Sequence, residues 1–385
     1  AAARVALWLE EWREVWWTVP IWFGVLVALA VILRRIVREE PLISGSGIPQ
    51  TELALAGRLS FTWWRVLLAK FLGSWLALFG GLALGREGPS IQMGGAVGAG
   101  FHALWRPAAP HALTGSPYVV AGAVAGLAAA FGAPAAGVLF AFEEMKSRRD
   151  TSLIVAACAS AIGAHLMIRI VFGMGRILPF AGFEAPPLSS FWIVALEGAV
   201  FGVLGVGYNK TLLWLHDREA GQTLIPDRWR ALPPLLLAGC LALFAPLLIG
   251  GGESLIIFVG EHDVALKTLI LLLAFKYLFA QYSTVAAIPG GLLMPILCLG
   301  ALWGRLWAEL PVSALAAHGL ASGSVQPYVL FGMVSYFAAT VRAPLTGIVL
   351  VTEMSGTYTC LPGSLLAGLI ACKVANLLHC PPVYD

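Results

Sequence analysis

Residues 85–92 read Gly-Arg-Glu-Gly-Pro-Ser-Ile-Gln and place a charged pair inside an otherwise apolar stretch. An ionisable group at membrane depth is costly, and it usually faces a transport pathway or a partner. Glu87 lies between glycines, which let the backbone approach a ligand, and ahead of Pro89, which suits the first turn of a helix. The segment therefore predicts a loop that leads into a helix N-terminus, where backbone amides bind an anion beside a titratable carboxylate. The alternative, an ion pair with Arg86, is disfavoured because adjacent residues on a helix do not face each other.

Two further glycine-rich breaks have the same form, Gly-Ser-Gly-Ile-Pro-Gln at 45–50 and Gly-Gly-Leu-Leu-Met-Pro at 290–295. Each ends in a proline that suits the first turn of a helix, and each exposes backbone N–H groups. A helix N-terminus carries about half an elementary positive charge, so several together hold a dehydrated anion weakly enough for conduction. Ser46 adds a hydroxyl donor. Taken singly, such a break is more often a kink or a packing glycine, but three of one form favour an anion site.

The composition indicates a membrane protein. Of 385 residues, 59% are hydrophobic and 12% are charged, whereas about 25% of the residues in a soluble domain are charged. The apolar stretches that predict membrane spans lie near 16–33, 63–84, 117–141, 152–172, 189–213, 230–250, 265–280, 285–308, 328–352 and 362–378. The chain also has 43 Gly and 23 Pro. Because non-helical backbone at membrane depth must be buried in protein or line a cavity, we expect broken, re-entrant helices.

Charge and side-chain usage narrow the remaining classes. The net charge of +3 is too small to indicate a nucleic-acid partner. The six Cys include no Cys-x-x-Cys pair and the seven His have no metal-ligand spacing, so neither a metal nor a cofactor is expected. Basic clusters at 34–38 and 146–149 follow two spans, and the positive-inside rule places both on the cytoplasmic side. Lys70 is predicted to pair with a carboxylate or to raise the local potential, and Glu253 is predicted to be a solvated loop residue.

An internal repeat divides the chain. Residues 122–143 align with 332–353 at a constant offset of 210, and their Ala-Pro, Gly and Glu positions keep register. Residues 85–98 align with 291–304 at an offset of 206, so that Leu293 stands where the first copy has Glu87. Two halves with matching interrupted segments are typical of transporters whose site lies between repeats, usually inverted ones; the sequence itself leaves their orientation open. We predict a first repeat at 1–185, with an incomplete N-terminal helix, and a second at 186–385.

These motifs resemble the CLC family of chloride channels and proton-coupled chloride antiporters. The resemblance extends from Ser44 to Tyr384, and Gly-Ser-Gly-Ile-Pro, Gly-Arg-Glu-Gly-Pro and the paired Ala-Pro-x-x-Gly-x(5)-Glu segments carry it. It implies an all-α, multi-pass CLC-type fold of two inverted repeats with tilted, broken helices. It also implies a homodimer with one pathway per subunit. The cytoplasmic nucleotide-binding tail of many eukaryotic members does not follow Asp385, so a prokaryotic member in the inner membrane is expected.

The resemblance also implies residue roles. Glu87 resembles the external gating glutamate, and Glu144 resembles the internal proton-transfer glutamate of the antiporters. Ser46 resembles the serine that coordinates the central chloride, and Tyr384 resembles the inner-gate tyrosine. The predicted chloride-binding set is Ser46, Tyr384, Gly45, Gly88 and the backbone amides of Leu292 and Leu293. Glu144 is alternatively a surface ion-pair residue, and Tyr384 is alternatively an interfacial aromatic anchor.

The predicted function is exchange of chloride for protons, with chloride as substrate and no cofactor. A passive chloride channel is the principal alternative, and the acidic residue at Glu144 argues against it. A fluoride antiporter of the same fold is disfavoured by Ser46 and Tyr384. An intramembrane enzyme is disfavoured because neither a Gly-x-Ser-x-Gly nor a His-Glu-x-x-His motif is present. One departure from the family pattern is Gly-Leu-Leu-Met-Pro at 291–295, where Gly-Ile-Phe-Ala-Pro is common; amide donors survive this change, whereas the gate loses an aromatic side chain.

Overall fold

A computed structural model describes residues 17–105, 113–145, 150–173, 175–178, 180, 185–221, 225–317 and 325–384. Within these ranges the regular secondary structure is entirely helical, apart from a single isolated β-bridge. The predicted all-α fold class is therefore confirmed. The basic cluster predicted at 146–149 lies outside the described residues.

The helices of the described part of the chain are numbered in order. They are α1 Thr18–Glu39, α2 Ile48–Leu55, α3 Trp63–Phe79, α4 Glu87–Trp105, α5 Pro117–Phe131, α6 Pro134–Glu143, α7 Thr151–Phe172, α8 Phe191–Gly221, α9 Leu232–Phe244, α10 Glu253–Glu261, α11 Leu266–Val285, α12 Leu293–Trp307, α13 Ser313–Ala317, α14 Gln326–Val341, α15 Pro344–Ser355 and α16 Leu361–Leu377. Six helical segments of these ranges are long and apolar enough to cross a membrane. The protein is thus an integral, multi-pass membrane protein, as predicted.

Two of the predicted spans are pairs of short helices. The stretch predicted at 117–141 breaks before Pro134, and the stretch at 328–352 breaks before Pro344. A proline has no N–H to donate and disfavours helical backbone in the preceding residue. Accordingly, Ala133 and Ala343 leave the helical region, with φ of −123° and −112°. The two breaks occupy equivalent positions at the offset of 210.

Other span boundaries also differ from the prediction. The stretch at 63–84 is helical only to Phe79, and the stretch at 285–308 is helical only from Leu293. Glycine-rich segments at 80–85 and 290–291 account for both differences, because glycine has a low propensity for helical backbone. The stretch at 189–213 continues as a helix to Gly221.

The chain forms two compact units, each drawn from both halves of the sequence. One comprises Ala1–Ala123, Leu212–Gly252 and Phe275–Pro295; the other comprises Val124–Thr211, Glu253–Ala274 and Ile296–Asp385. In the first unit α3 packs against α4 and α1. In the second unit α14 is buried from Pro327 to Val341 and packs against α15 and α16. The sequence repeats at 1–185 and 186–385 are a separate division of the chain and remain a prediction.

Equivalent glycines make equivalent helix contacts within each unit. In the first unit, a side chain at Gly98 would meet the backbone of Tyr118. In the second unit, a side chain at Gly304 would meet the backbone of Tyr328, which lies 210 residues after Tyr118. Small residues let membrane helices approach closely enough for backbone packing. The aligned glycines therefore have the same packing function in both copies.

Candidate anion site and the elements that hold it

Two of the three glycine breaks are joined by backbone hydrogen bonds in the first unit. The amide of Gly85 donates to the carbonyl of Gly291, and the amide of Gly291 donates to the carbonyl of Gly85, each at 2.7 Å. The helices α4 and α12 begin only two residues later, at Glu87 and Leu293. The first N–H groups of a helix have no partner within it. Two sets of such donors therefore start from one fixed point.

The third break lies against the same point. The carbonyl of Gly45 accepts from the amide of Gly290 at 3.0 Å. Gly45 and Gly47 have left-handed backbone, with φ of 65° and 88°, and α2 begins directly afterwards at Ile48. A Cβ on Gly88 would lie 2.8 Å from the carbonyl oxygen of Ser46, so only glycine fits there. The structure thus brings together the start of α4 and the Ser46 loop.

Ser46 is buried, and its hydroxyl oxygen accepts a hydrogen bond of 3.3 Å from the amide of Ile48. Gln92 closes the other side of the loop: a Cβ on Gly47 would meet the Gln92 side chain, whose amide donates to the carbonyl of Leu42 at 2.8 Å. The hydroxyl group of Ser46 is therefore fixed by its surroundings. A fixed donor is suited to hold an anion without reorganisation.

Glu87 folds back over the bridge that joins the two breaks. Only 3% of the residue is exposed. Its Oε2 occupies the place that a side chain on Gly85 would need, and a Cβ on Gly291 would lie 3.5 Å from the same oxygen. A carboxylate in this place lies at the positive end of α4, where an anion is stabilised. Arg86, by contrast, is exposed.

The predicted backbone donors Leu292 and Leu293 are both buried, and Leu293 is the first residue of α12. Their side chains are apolar, so the polar groups that they offer are backbone amides. Leu293 is the repeat counterpart of Glu87. The carboxylate is therefore present in one copy of the repeat only.

Lys70 binds backbone carbonyls, not a carboxylate. Its buried Nζ donates to the carbonyl oxygens of Ile43 at 2.8 Å and Gly45 at 2.7 Å. The expected carboxylate partner is thus wrong, because the loop before α2 supplies oxygens at the right place. The Lys70 side chain therefore holds this loop in position through a carbonyl one residue before Ser46.

A second lysine holds an equivalent loop. Lys276 lies 206 residues after Lys70 and donates to the carbonyl oxygens of Leu248 at 2.9 Å and Gly250 at 2.7 Å. Gly250 and Gly252 have left-handed backbone, with φ of 69° and 99°, as in the first loop. Sequence reasoning missed this lysine. The signal was present in the spacing of the lysines, which matches the repeat.

The two loops differ at their tips. Gly251 stands where the first loop has Ser46, so the second loop has no hydroxyl donor. Glu253 begins α10 and is partly buried, so the prediction of a solvated loop residue is wrong. Pro246 lies 205 residues after Pro41, and each begins a short 3-10 helix before its loop. The similarity between the two copies therefore begins at Pro41 and Pro246. In the first copy this is further towards the N-terminus than the aligned segments at 85–98 and 122–143.

The second unit contains Tyr384, which is buried at the end of the described chain. The amide of the preceding residue, Val383, donates to the carbonyl of Thr340 at 3.1 Å. The buried side-chain amide of Asn209 donates to the same carbonyl at 3.0 Å and to that of Pro381 at 3.1 Å. The segment that carries Tyr384 is therefore fixed to both α8 and α14.

Arg342 fixes the same segment from the end of α14. Its backbone is left-handed, with φ of 71°, which is uncommon for a residue with a long side chain. Its guanidinium donates to the carbonyls of Ala375 at 2.9 Å and Cys380 at 3.0 Å, and also to that of Ala339. Sequence reasoning assigned no role to Arg342 or Asn209, because neither lies in a glycine-rich break.

Glu144 is the C-cap residue directly after α6, and only 8% of it is exposed. This burial disfavours the alternative of a surface ion pair, since such a pair needs both groups at the surface. The basic residues that follow at 146–149 lie outside the described part of the chain.

The neighbouring Glu143 and its repeat counterpart Glu353 cap each other's helices. The Glu143 carboxylate accepts from the amides of residues 345 and 346 at 3.1 and 2.6 Å, at the start of α15. The Glu353 carboxylate accepts from the amides of residues 135 and 136 at 3.1 and 2.9 Å, at the start of α6. A carboxylate at a helix N-terminus satisfies unpaired donors and complements the helix dipole. Both glutamates therefore have the same structural role in the two copies of the repeat.

Comparison with known proteins agrees with this arrangement. The family model for the voltage-gated chloride channel matches residues 23–376. The chain belongs to this family, as the sequence motifs predicted. A relative from Vibrio campbellii, the H(+)/Cl(-) exchange transporter ClcA, is 36% identical over 98% of this chain and 81% of its own.

Solved structures have the same fold. A slow cyanobacterial Cl-/H+ antiporter superposes with a TM-score of 0.90 at 29% identity, over 100% of this chain and 89% of its own. A eukaryotic CLC transporter superposes with a TM-score of 0.79 at 22% identity, over 100% of this chain and 68% of its own, and supports the fold alone.

Proposed function

We propose that the protein exchanges chloride for protons across the membrane. The observation that carries the proposal is the Glu87 carboxylate at the start of α4, buried over the Gly85–Gly291 bridge beside the Ser46 loop. A carboxylate at a helix N-terminus competes with an anion for the same donors. The relatives named as H(+)/Cl(-) exchangers and the family membership support the same reaction.

The proposed site binds chloride through neutral donors. These are the Ser46 hydroxyl, the backbone around Gly45 and Gly88, and the amides of Leu292 and Leu293. Lys70 is engaged with two carbonyls, so its charge contributes to the potential without direct contact. Neutral donors suit transport, because binding must be weak enough for release.

Glu87 is proposed as the gate that chloride and protons share. Ionised, it occupies the anion position; protonated, it loses its attraction for the helix N-terminus and leaves the position to chloride. Proton and chloride then alternate at one place, which couples their movements in opposite directions. Glu144 is proposed as the inner proton acceptor and Tyr384 as the inner gate. Their burial and the fixed Tyr384 segment support these roles.

The test uses purified protein in liposomes loaded with chloride. An outward chloride gradient is imposed, and chloride efflux and external pH are recorded together. We expect proton uptake against its own gradient in the wild type. Uptake should disappear in Glu87→Gln and Glu144→Gln and remain in Glu261→Gln, which removes an exposed carboxylate elsewhere.

Three results would contradict the proposal. Chloride efflux without proton movement would indicate a passive channel and remove the role of Glu144. Flux of fluoride in preference to chloride would indicate a fluoride transporter. No anion flux at all would point to a function other than transport.

We further propose a homodimer with one pathway per subunit, in a prokaryotic inner membrane, and a transport reaction without enzymatic chemistry or cofactor. The apolar helix α7 is the least buried of the six candidate spans and offers a face for a second copy. Single-molecule photobleaching of labelled protein in liposomes tests the dimer. Two bleaching steps are expected, and a single step would exclude it.

A further inference from the structure

A buried glutamate outside the proposed pathway lacks a hydrogen-bond partner in the part of the chain that the structure describes. Glu197 lies on α8 with 0% of its surface exposed. Neither carboxylate oxygen has a hydrogen-bond partner among the residues that the structure describes. Burial of an unpaired carboxylate in the membrane is energetically unfavourable, and such residues are rare unless they are functional.

Tyr328, at the start of α14, is a second buried titratable group, and Glu197 contributes to its electrostatic environment. The Tyr328 hydroxyl is also buried without a hydrogen-bond partner in the described part of the chain. Among the described residues, this buried acid and this buried phenol are thus both left without a hydrogen bond.

Within the described part of the chain, the contacts of α8 next to Glu197 are with backbone and aromatic groups. The adjacent Gly198 packs against the backbone of Ala367 on α16. One turn further along α8, Phe201 contacts the ring of Trp307 on α12, at a centroid distance of 6.2 Å. The other titratable groups of these two helices are Cys298, Arg305, Cys372 and Lys373. Arg305 is bound to Glu309. Cys298 lies nine residues before Trp307, and Cys372 and Lys373 lie five and six residues after Ala367.

Polar residues continue from Glu197 along the contact between α8 and α14. Tyr208 packs edge-on against Tyr336 at 5.9 Å, and Asn209 binds the carbonyl of Thr340. We call Glu197, Tyr208, Asn209, Tyr328, Tyr336 and Thr340 the polar seam. From Glu197 to Asn209 the seam follows 12 residues of helix, which is about 18 Å. The far end of the seam is Asn209 and Thr340, which hold the Tyr384 segment.

The direction of the seam follows from topology. The positive-inside rule places residues 146–149 on the cytoplasmic side, and α7 crosses the membrane once after them. Helix α8 therefore begins on the external side, and Glu197 lies six residues into it, about 9 Å from its start. The opposite end of the seam lies deeper in the membrane.

From these observations we infer that Glu197 is a second membrane-embedded proton-binding site, filled from the external side, whose occupancy controls how α8 and α14 hold the Tyr384 segment. The carboxylate takes up one proton and becomes a neutral acid that Tyr328 can hydrogen-bond. Loss of the proton places a charge between two packed helices. The helices must then shift or admit a counter-charge, and both of them bind the Tyr384 segment.

The first experiment detects the proton itself. Infrared difference spectra between acidic and alkaline pH separate the C=O band of a protonated carboxyl group from carboxylate and amide bands. The spectra use the Glu87→Gln/Glu144→Gln double variant, so that the two carboxylates of the proposed exchange do not contribute. We expect a titrating carboxyl band that is lost on adding Glu197→Gln and kept on adding Glu261→Gln. A band unchanged by Glu197→Gln would overturn the proton site.

The second experiment tests the control of transport, and it rests on the proposed function. Chloride efflux is measured against external pH for the wild type, Glu197→Gln and Tyr336→Phe, with Tyr358→Phe as a control at an exposed tyrosine. We expect Glu197→Gln and Tyr336→Phe to lose part of the dependence of chloride efflux on external pH, and Tyr358→Phe to retain it. Identical profiles in all variants would overturn the link to the Tyr384 segment.

The two experiments separate the possible failures. The infrared result decides the proton site even in a protein that moves no chloride. If Glu197→Gln fails to fold, Glu197→Leu replaces it, because an apolar side chain of similar size in a buried site is neutral or stabilising.

Discussion

Replacement of Gly88 with alanine would place a methyl group against Ser46. The new Cβ would lie 2.8 Å from the Ser46 carbonyl oxygen and 2.9 Å from its Cβ. The atoms it meets are backbone and the root of a side chain, so they cannot rotate away. The Ser46 loop must move as a whole, and the hydroxyl leaves its position relative to the start of α4.

The expected loss follows from one hydrogen bond. A hydrogen bond to a charged group contributes about 1.5–3 kcal/mol, and its loss weakens binding roughly 10- to 150-fold. Isothermal titration of chloride into the detergent-solubilised protein measures this directly. Gly207→Ala is the matched control, because nothing lies within 4 Å of the added methyl group.

A double-mutant cycle tests the mechanism. Because Gly88→Ala and Ser46→Ala remove the same hydrogen bond, the double variant should bind chloride no worse than the weaker single variant. If Gly88→Ala bound chloride within about twofold of the wild-type affinity, the reasoning would be refuted. A difference of that size is no larger than the ordinary uncertainty of such comparisons. Fully additive losses would show that Gly88 acts through something other than Ser46.

Three further predictions concern the supports of the site. Lys70→Met leaves two buried carbonyls without a donor and should lower the free energy of unfolding by about 1.5–3 kcal/mol for each hydrogen bond, with weaker chloride binding; an unchanged melting temperature would contradict this. Glu353→Gln weakens the cap of α6 and should lower stability by about 0.5–2 kcal/mol, measured by thermal unfolding, whereas no loss would remove its structural role. Asn209→Ala frees the Tyr384 segment and should lower the ratio of protons to chloride in the flux assay, as Tyr384→Ala should; a wild-type ratio would show that the segment is held without it.

The features that sequence reasoning predicted are local in the chain. Membrane spans follow from apolar composition, and the starts of α2, α4 and α12 follow from glycine and proline within a few residues. The breaks before Pro134 and Pro344 follow from the same local effect, although the sequence placed each pair in one span. These elements are decided by residues that are neighbours in sequence, so one sequence is enough to find them.

The features that sequence reasoning missed depend on tertiary contacts. The partners of Lys70 are carbonyl groups, which every residue has, so no side-chain pattern identified them. The polar seam joins α8 to α14, and Glu197 alone reads as one acid in a long apolar helix. Asn209 and Arg342 likewise act on backbone that is distant in sequence. Only the packing of helices shows which carbonyls these side chains reach.

The reciprocal caps of Glu143 and Glu353 have a consequence for biosynthesis. The donors at the start of α6 are satisfied by a residue about 218 positions later in the chain, so they have no cap while the ribosome is still making the second half. Unsatisfied amides are not tolerated in the lipid interior. A helix of 10 residues is also too short to span the bilayer. Nascent α6 must therefore wait at the membrane surface or beside the insertion machinery until α15 emerges, and the two halves are completed together.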